Sequence, residues 1–489
     1  MHRFVNREKE LAFLEREYSR EGSALVVLYG RRRVGKTELV VEFMKNKPAL
    51  YFHVTEENEL QNLQAFKDIV ADFFDNKLLA EFQIENWEAV FRVLADYQGE
   101  KKLLVVLDEF QYLGKTNPAF PSVLQKIWDT MLKNRNIMLI LCGSLISLIE
   151  GQVLNYTSPL YGRRTGQIKL KQIPFTHYAD FFPHKKPKEL VEFYAVTGGV
   201  PKYIEVFCEE KNIYQAIENN ILQKSSFLYD EPTFLLQNEV SEIGSYFSLI
   251  KTIAFGNHKL GKISSALGIK QTGLTKYLKT LIDLDILARE VPVTENNPEK
   301  SRRGLYKIKD NYLLFWFKFI YPNLSLIESG RIEAVLAKLK KNFRDSHLSG
   351  VYEDVCLEKL WQLNDLSHWN FVFDKAGRWW NNEQEIDIVA FDSGGKDILF
   401  GECKYWQGKV GLSVLQALEE KAAAVEWKKP ERREHYVLFT ENGFTAELRR
   451  EAKERTNVLL CSLEDFTSDP QNRTAKLDSH RLRDRDHKY

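Results

Sequence analysis

Two groups of residues have the types and spacing of chemical sites. In the first, Gly30, Arg31, Arg32, Arg33, Val34, Gly35, Lys36 and Thr37 match the pattern GxxxxGK[ST] in full. The terminal glycines let backbone N–H groups curl around phosphate oxygens, and the start of the next helix, with Glu38 in its first turn, favours an anion. Lys36 is expected to reach the β- and γ-phosphates of ATP, and Thr37 to offer its hydroxyl oxygen to Mg²⁺. The run LLVVLDE supplies the complement: an apolar strand delivers Asp108 to the same metal, and Glu109 follows as a base for the attacking water. Ser144, at the end of ILCGS, reads either as a sensor of the γ-phosphate or as a strand-end cap.

The second group lies far downstream. Asp387 sits in the alternating run EIDIVA, and Glu402 and Lys404 sit in GECK. Residues two apart on a strand face the same side, so an antiparallel neighbour would set Asp387 against both. Two carboxylates make a hard-oxygen Mg²⁺ site, and a lysine beside them can orient a water or offset the charge of a scissile phosphate. The expected metal ligands are thus Thr37 and Asp108 in one place and Asp387 and Glu402 in the other.

The elements that must position these groups read as an α/β chain. Short apolar runs at Ala24–Tyr29, Ala49–Val54, Lys102–Leu107, Ile137–Leu141 and Ile168–Leu170 alternate with helical patterns, as a parallel sheet requires. The domain reading is an ATPase core over 1–172, a helical lid over 173–240, a winged helix-turn-helix over 241–322, an α/β domain over 323–468 and a mobile tail over 469–489. In the third of these, helices are expected at Phe247–Ala254, Leu260–Leu267 and Gln271–Leu284, followed by strands at Ile286–Val293 and Gly304–Ile308. Lys270, Lys276 and Lys279 on the last helix, with Lys300, Arg302 and Arg303 in the wing, suit phosphate contact; docking within the molecule is the other reading. The fourth is expected to hold a helix at Gly350–Leu363 and strands at Asn370–Asp374, Glu385–Phe391, Asp397–Lys404 and His435–Thr440.

Composition bounds the rest. The 489 residues exceed what one core usually serves. A net charge of +1 means that nucleic-acid binding must come from local patches. Five dispersed cysteines without a CxxC pair fit reduced thiols in a cytoplasm and exclude a cysteine-based zinc site. The N-terminal stretch lacks an apolar h-region and the apolar runs are strand-length, so a cytoplasmic protein without membrane contact is expected.

The segments FVNREKEL, YGRRRVGKTEL, LVVLDEFQYL, Gly162-Arg163-Arg164 and TGGVPKY together resemble the archaeal-type ATPases, which group with the AAA+ and STAND P-loop NTPases. That resemblance implies that Arg7 and Glu8 lie near the nucleotide and that Gly199-Val200-Pro201 couples the lid to it. It also implies that Arg163 or Arg164 completes phosphate charge stabilisation, in cis or across a subunit contact; a solvated pair is the alternative. The pattern around Asp387 and GECK resembles the PD-(D/E)xK nuclease superfamily, which implies a restriction-endonuclease-like fold with Glu353 as supporting acid. No proline precedes the aspartate here. The combined expectation is an ATPase coupled to DNA binding and Mg²⁺-dependent phosphodiester cleavage, with a homo-oligomer and a triggering protein partner compatible with it. The other expectation is a nucleotide-dependent switch or scaffold whose nuclease fold does not cut.

Overall fold

Strands β1 (Ala24–Tyr29), β2 (Ala49–His53), β3 (Leu103–Asp108), β4 (Ile137–Gly143) and β5 (Gly166–Lys169) form one sheet in the order β2-β3-β4-β1-β5. Every pairing in it is parallel. β1, β3 and β4 are buried along their whole length, which is why they read as unbroken apolar runs rather than alternating ones. Tyr29 stands beside Gly143 and Leu107 beside Leu141, so the C-terminal ends of these three strands finish level. Open parallel sheets hold their ligand crevices at that edge. The helix Lys36–Met44 starts there and sets Leu39, Val40 and Phe43 into the same core as Val26, Leu28, Val106 and Ile140. Burying three such side chains stabilises the sheet–helix contact by roughly 5–9 kcal/mol.

The computed structural model describes residues 4–237, 239–365, 369 and 371–466; the expected mobile tail, 469–489, lies outside them. The chain divides into two compact units. The first runs to Ile173 and also takes in Val200–Lys202 and Thr233–Ile243. The second holds Pro174–Gly199, Tyr203–Pro232 and the chain from Gly244 onward. The segment read as a lid is therefore shared between the units, with Val200–Lys202 and Thr233–Ile243 in the first and the remainder in the second.

In the second unit, helices Ile243–Ala254, Leu260–Leu267 and Gln271–Asp283 precede a two-stranded antiparallel ribbon of β6 (Leu287–Glu290) and β7 (Leu305–Ile308). Gly268, in the left-handed region at φ 66°, ends the second helix and turns the chain into the third. Leu274, Leu278 and Leu281 form that third helix's buried stripe, leaving Lys276 and Lys279 exposed. A second sheet follows, in the order β12-β11-β10-β9-β8, from β8 (Lys375–Trp380), β9 (Glu385–Phe391), β10 (Asp397–Lys404), β11 (Arg433–Thr440) and β12 (Val458–Ser462). β8, β9 and β10 are antiparallel neighbours, whereas β10, β11 and β12 run parallel. The parallel crossovers carry the helices Leu412–Ala423 and Ala446–Glu454.

One expected strand is corrected. Asn370 lies outside the described residues and Phe371–Asp374 is irregular. Phe373 instead exchanges two hydrogen bonds with the Asn364 side chain, at 3.0 and 3.1 Å. The strand begins at Lys375, and its KAGRWW sequence is held extended by pairing with β9 across a bulge between Gly377 and Trp379. Among the described residues no helix is long and apolar enough to cross a membrane.

Candidate functional site

The loop after β1 is shaped by backbone constraints that its residues alone satisfy. A Cβ at Gly30 would collide with the Leu170 carbonyl oxygen, so the loop leaves the sheet where only glycine fits. Gly35 caps the next helix at φ 91°, and a Cβ built on it would lie 3.8 Å from Pro201 Cγ. Thus Pro201 is at the loop, within the first unit. Arg7 is buried and bridges two backbones, donating to the carbonyls of Val34 (3.1 Å) and Lys171 (2.7 Å). Hydrogen bonds from a buried charged group contribute about 1.5–3 kcal/mol each. Arg7→Met is therefore expected to lower stability by about 3 kcal/mol and weaken ATP binding; urea unfolding and nucleotide titration would check it.

Lys36 is buried, and its Nζ donates to the carbonyls of Gly30 (2.8 Å) and Arg31 (3.0 Å) across the loop. Burial pushes its pKa down, partly opposed by Glu109 and Asp108. A desolvated ammonium in a ring of backbone dipoles is poised for a polyanion. Thr37 Oγ1 donates to Asp108 Oδ2 at 3.2 Å, and the Tyr51 hydroxyl donates to the same oxygen at 2.5 Å. Burial raises the Asp108 carboxyl, but hydrogen bonds from Tyr51, Cys142, the Glu109 N–H and Thr37 outweigh it and hold the carboxyl below its ordinary range. It is an anion with acceptor capacity only, which suits a cation. Glu109, at φ 56°, accepts from Ser144 Oγ (2.7 Å) and from Gln111. Ser144 reaches it because β4 lies between β1 and β3. Arg32 donates to the Tyr112 hydroxyl at 2.9 Å, while Thr37 and Glu38 are exposed.

The arginine pair is not brought to this loop. Gly166 pairs with Val26, and the Thr165 N–H bonds the Leu25 carbonyl, so Arg163 and Arg164 precede β5 at the edge where β1 begins. The loop lies at the other end of that strand, roughly 16 Å away at the rise of a β-strand. Arg163 is ion-paired to Asp129 at 2.9 Å, and Arg164 stacks over Tyr161. The expected role in cis is corrected by this placement.

Sequence reading passed over Tyr51 and Glu239, neither of which belongs to a motif. Glu239 bonds Ser147 Oγ at 3.2 Å, and burial raises its carboxyl to about 7. A carboxyl that keeps its proton to higher pH when folded favours the native state below its unfolded pKa; that advantage of about 3 kcal/mol is lost as pH rises from about 4.5 to 7. Glu239→Gln should flatten this part of the stability profile, measured as the difference in Tm between pH 5 and pH 8.

The second cluster stands on β9 and β10. Gly401 pairs with Ile388, so the next antiparallel step sets Asp387 opposite Glu402 with both side chains on one face. One Asp387 oxygen accepts the Cys403 N–H at 2.8 Å. Buried Glu402 is bound by Lys404 at 2.6 Å and by Lys421 at 3.1 Å. Burial and the Glu402 charge push the Asp387 carboxyl up. Glu353, on the helix Ser349–Asp365, pairs with Arg378 of β8 at 3.1 Å; burial, with the Asp387 charge adding, raises its carboxyl to about 7. Among the described residues no three acidic, histidine or cysteine side chains are gathered to hold a metal as they stand. The elevated Asp387 carboxyl nevertheless marks a place where added positive charge is favourable. Lys421 and Arg378 were not legible as site residues, since each comes from an element without a motif.

Residues 4–207 match the family described as an ATPase domain predominantly from Archaea, and residues 316–424 match one described as Archaea bacterial proteins of unknown function. An uncharacterized protein of Methanocaldococcus jannaschii is 36% identical over 466 residues, covering 95% of this chain and all of the relative. The chain belongs to the archaeal-type ATPase family. A second relative from that organism, an uncharacterized ATP-binding protein, is 25% identical over 299 residues, covering 49% of this chain and 83% of the relative. The Walker-type ATPase of Pyrococcus abyssi shares the fold, with a TM-score of 0.51 at 22% identity over 64% of this chain and 96% of its own. This archaeal-type ATPase is an ATP-binding P-loop protein, and the cradle around Lys36 is where its sequence and geometry meet.

Proposed function

We propose that ATP hydrolysis in the first unit controls Mg²⁺-dependent cleavage of DNA by the second. The observation that carries the cleavage half is the juxtaposition of Asp387 and Glu402 across β9 and β10 with Lys404 on the same face. The sheet β8–β12, with Ser349–Asp365 and Leu412–Ala423 around it, fits a PD-(D/E)xK nuclease domain, and the three helices with the β6–β7 ribbon fit a winged helix. Exposed Lys270, Lys276 and Lys279 support DNA as the partner.

At the first site, Lys36 and the loop amides would bind the phosphates, Thr37 and Asp108 would hold Mg²⁺, and Glu109 Oε2, already accepting from Ser144, would take the proton of the attacking water. At the second, Asp387 and Glu402 would hold Mg²⁺, which when bound supplies Lewis acidity to a phosphate oxygen. Lys404 Nζ would orient the nucleophile, and Arg378 would keep Glu353 in place beside Asp387. A homo-oligomer would give Arg163 and Arg164 a site in trans. The cysteines, all free thiols, fit a cytoplasmic setting.

The test is supercoiled plasmid incubated with purified protein and Mg²⁺ or EDTA, with and without ATP. Nicking that needs Mg²⁺ and disappears in Asp387→Ala is the expected result. No nicking under any condition, with ATP turnover intact, would favour a nucleotide-dependent switch; the engagement of Glu402 by two lysines is the observation on that side.

A further inference from the structure

A cleft of about 800 Å³ lies within the second unit, between the start of the helix Leu260–Leu267, the loop joining β6 to β7, and the turn joining β8 to β9. Its lining is cationic: Lys259, Lys262, Arg289, Arg302 and Arg303, with Trp380 at the end of β8. Two of these arginines build the cleft. Arg289 donates to the carbonyls of Pro298 (2.8 Å) and Ser301 (2.6 Å), and Arg303 is paired to Glu295 at 2.7 Å, so the loop is tied down as a wall. Lys259, Lys262 and Arg302 are exposed and make no side-chain hydrogen bond or ion pair among the described residues. Three uncompensated cations facing one hollow repel each other, and a polyanion is the ligand that relieves this.

We infer that this cleft binds a single strand of nucleic acid and leads it to the Asp387–Glu402 face. A basic groove with an aromatic side chain is the arrangement that takes unpaired bases, by phosphate neutralisation and stacking. The cations line a hollow with Trp380 in its wall, which suits one strand with unpaired bases, whereas a duplex is read by an element entering its own groove, about 12 Å wide. The route to the carboxylates follows from register. Trp380 pairs with Glu385, and Asp387 lies two residues further on β9, about 7 Å along the strand. The ribbon itself joins this sheet: the Val293 N–H bonds the Arg378 carbonyl at 2.9 Å, and Lys307 of β7 pairs with Asp354 at 2.5 Å. Cleft and carboxylates are thus parts of one framework within the unit.

The inference deepens the DNA-cleaving reading, but binding is measured without cleavage, so the two fail separately. Fluorescein-labelled dT12 and a 12-base-pair duplex are titrated with the full-length protein in EDTA, followed by anisotropy. Lys262→Glu/Arg302→Glu should weaken dT12 at least about tenfold and reduce the salt slope by about 1.4, the value for two phosphate contacts on a single strand. Trp380→Ala should weaken it about tenfold through lost stacking. Duplex binding should change less than twofold, and an unchanged circular-dichroism spectrum and Tm report that the variants fold. Unaltered dT12 affinity in the double variant, or duplex weakened as much as dT12, overturns the inference.

Discussion

Lys36→Ala is expected to lower ATP turnover by at least about 100-fold, the scale seen when a preorganised electrostatic donor is removed. The ammonium is held by two backbone carbonyls in a buried loop, so it needs little reorganisation to meet a phosphate. Its loss is not expected to unfold the chain. A desolvated charge is a cost to the folded state, and removing it offsets the two lost hydrogen bonds. The Tm should therefore move by only a few degrees while phosphate release collapses. Turnover within threefold of the parent protein would remove Lys36 from the reaction. Loss of turnover together with a large fall in Tm would instead assign it a structural role.

The second large effect separates two lysines that touch one carboxylate. Lys404→Ala should reduce plasmid nicking by about 10³-fold with ATP turnover unchanged, because Lys404 shares the β10 face with Glu402 and bonds it at 2.6 Å, where a nucleophile would be oriented. Lys421→Ala should keep cleavage and lower the Mg²⁺ concentration needed for half-maximal rate. Lys421 competes with a metal for both Glu402 oxygens, at 3.1 and 3.2 Å. Equal loss in both variants would mean that the two ammonium groups act as a pair. Cleavage surviving in Lys404→Ala would move the chemistry away from this face.

The parallel sheet was legible because each central strand is buried on both sides and so is written as an uninterrupted apolar run, as in LLVVLD. The P-loop was legible because its geometry tolerates few residues: Gly30 against Leu170, Gly35 at φ 91°. Alternation placed Glu402 and Lys404 on one face, and the antiparallel register of β9 with β10 brings Asp387 to them. What stayed hidden depends on distant pairing. β8 carries Gly377, two tryptophans and two basic residues, and it is a strand only because β9 supplies its partner. Tyr51, Glu239 and Lys421 reach their sites from elements whose position the local sequence does not encode. Which of the readings in cis, in trans or as a solvated pair holds for Arg163 and Arg164 was hidden for the converse reason: a triplet has no direction until the strand after it is set in register with β1.

The backbone passes from one unit to the other after Ile173, Gly199, Lys202, Pro232 and Ile243. A fragment ending at Ile173 would contain every strand of the parallel sheet yet lack the proline beside Gly35 and the carboxylate beside Ser147. No single scission along 174–243 returns two whole bodies, so limited digestion there should leave fragments that stay together until denatured. Recombination meets the same obstacle: the region cannot be exchanged as a cassette without trimming both partners. The ATP site and the Asp387–Glu402 cluster are inherited together because of the path of one polypeptide, whatever bonds their side chains make.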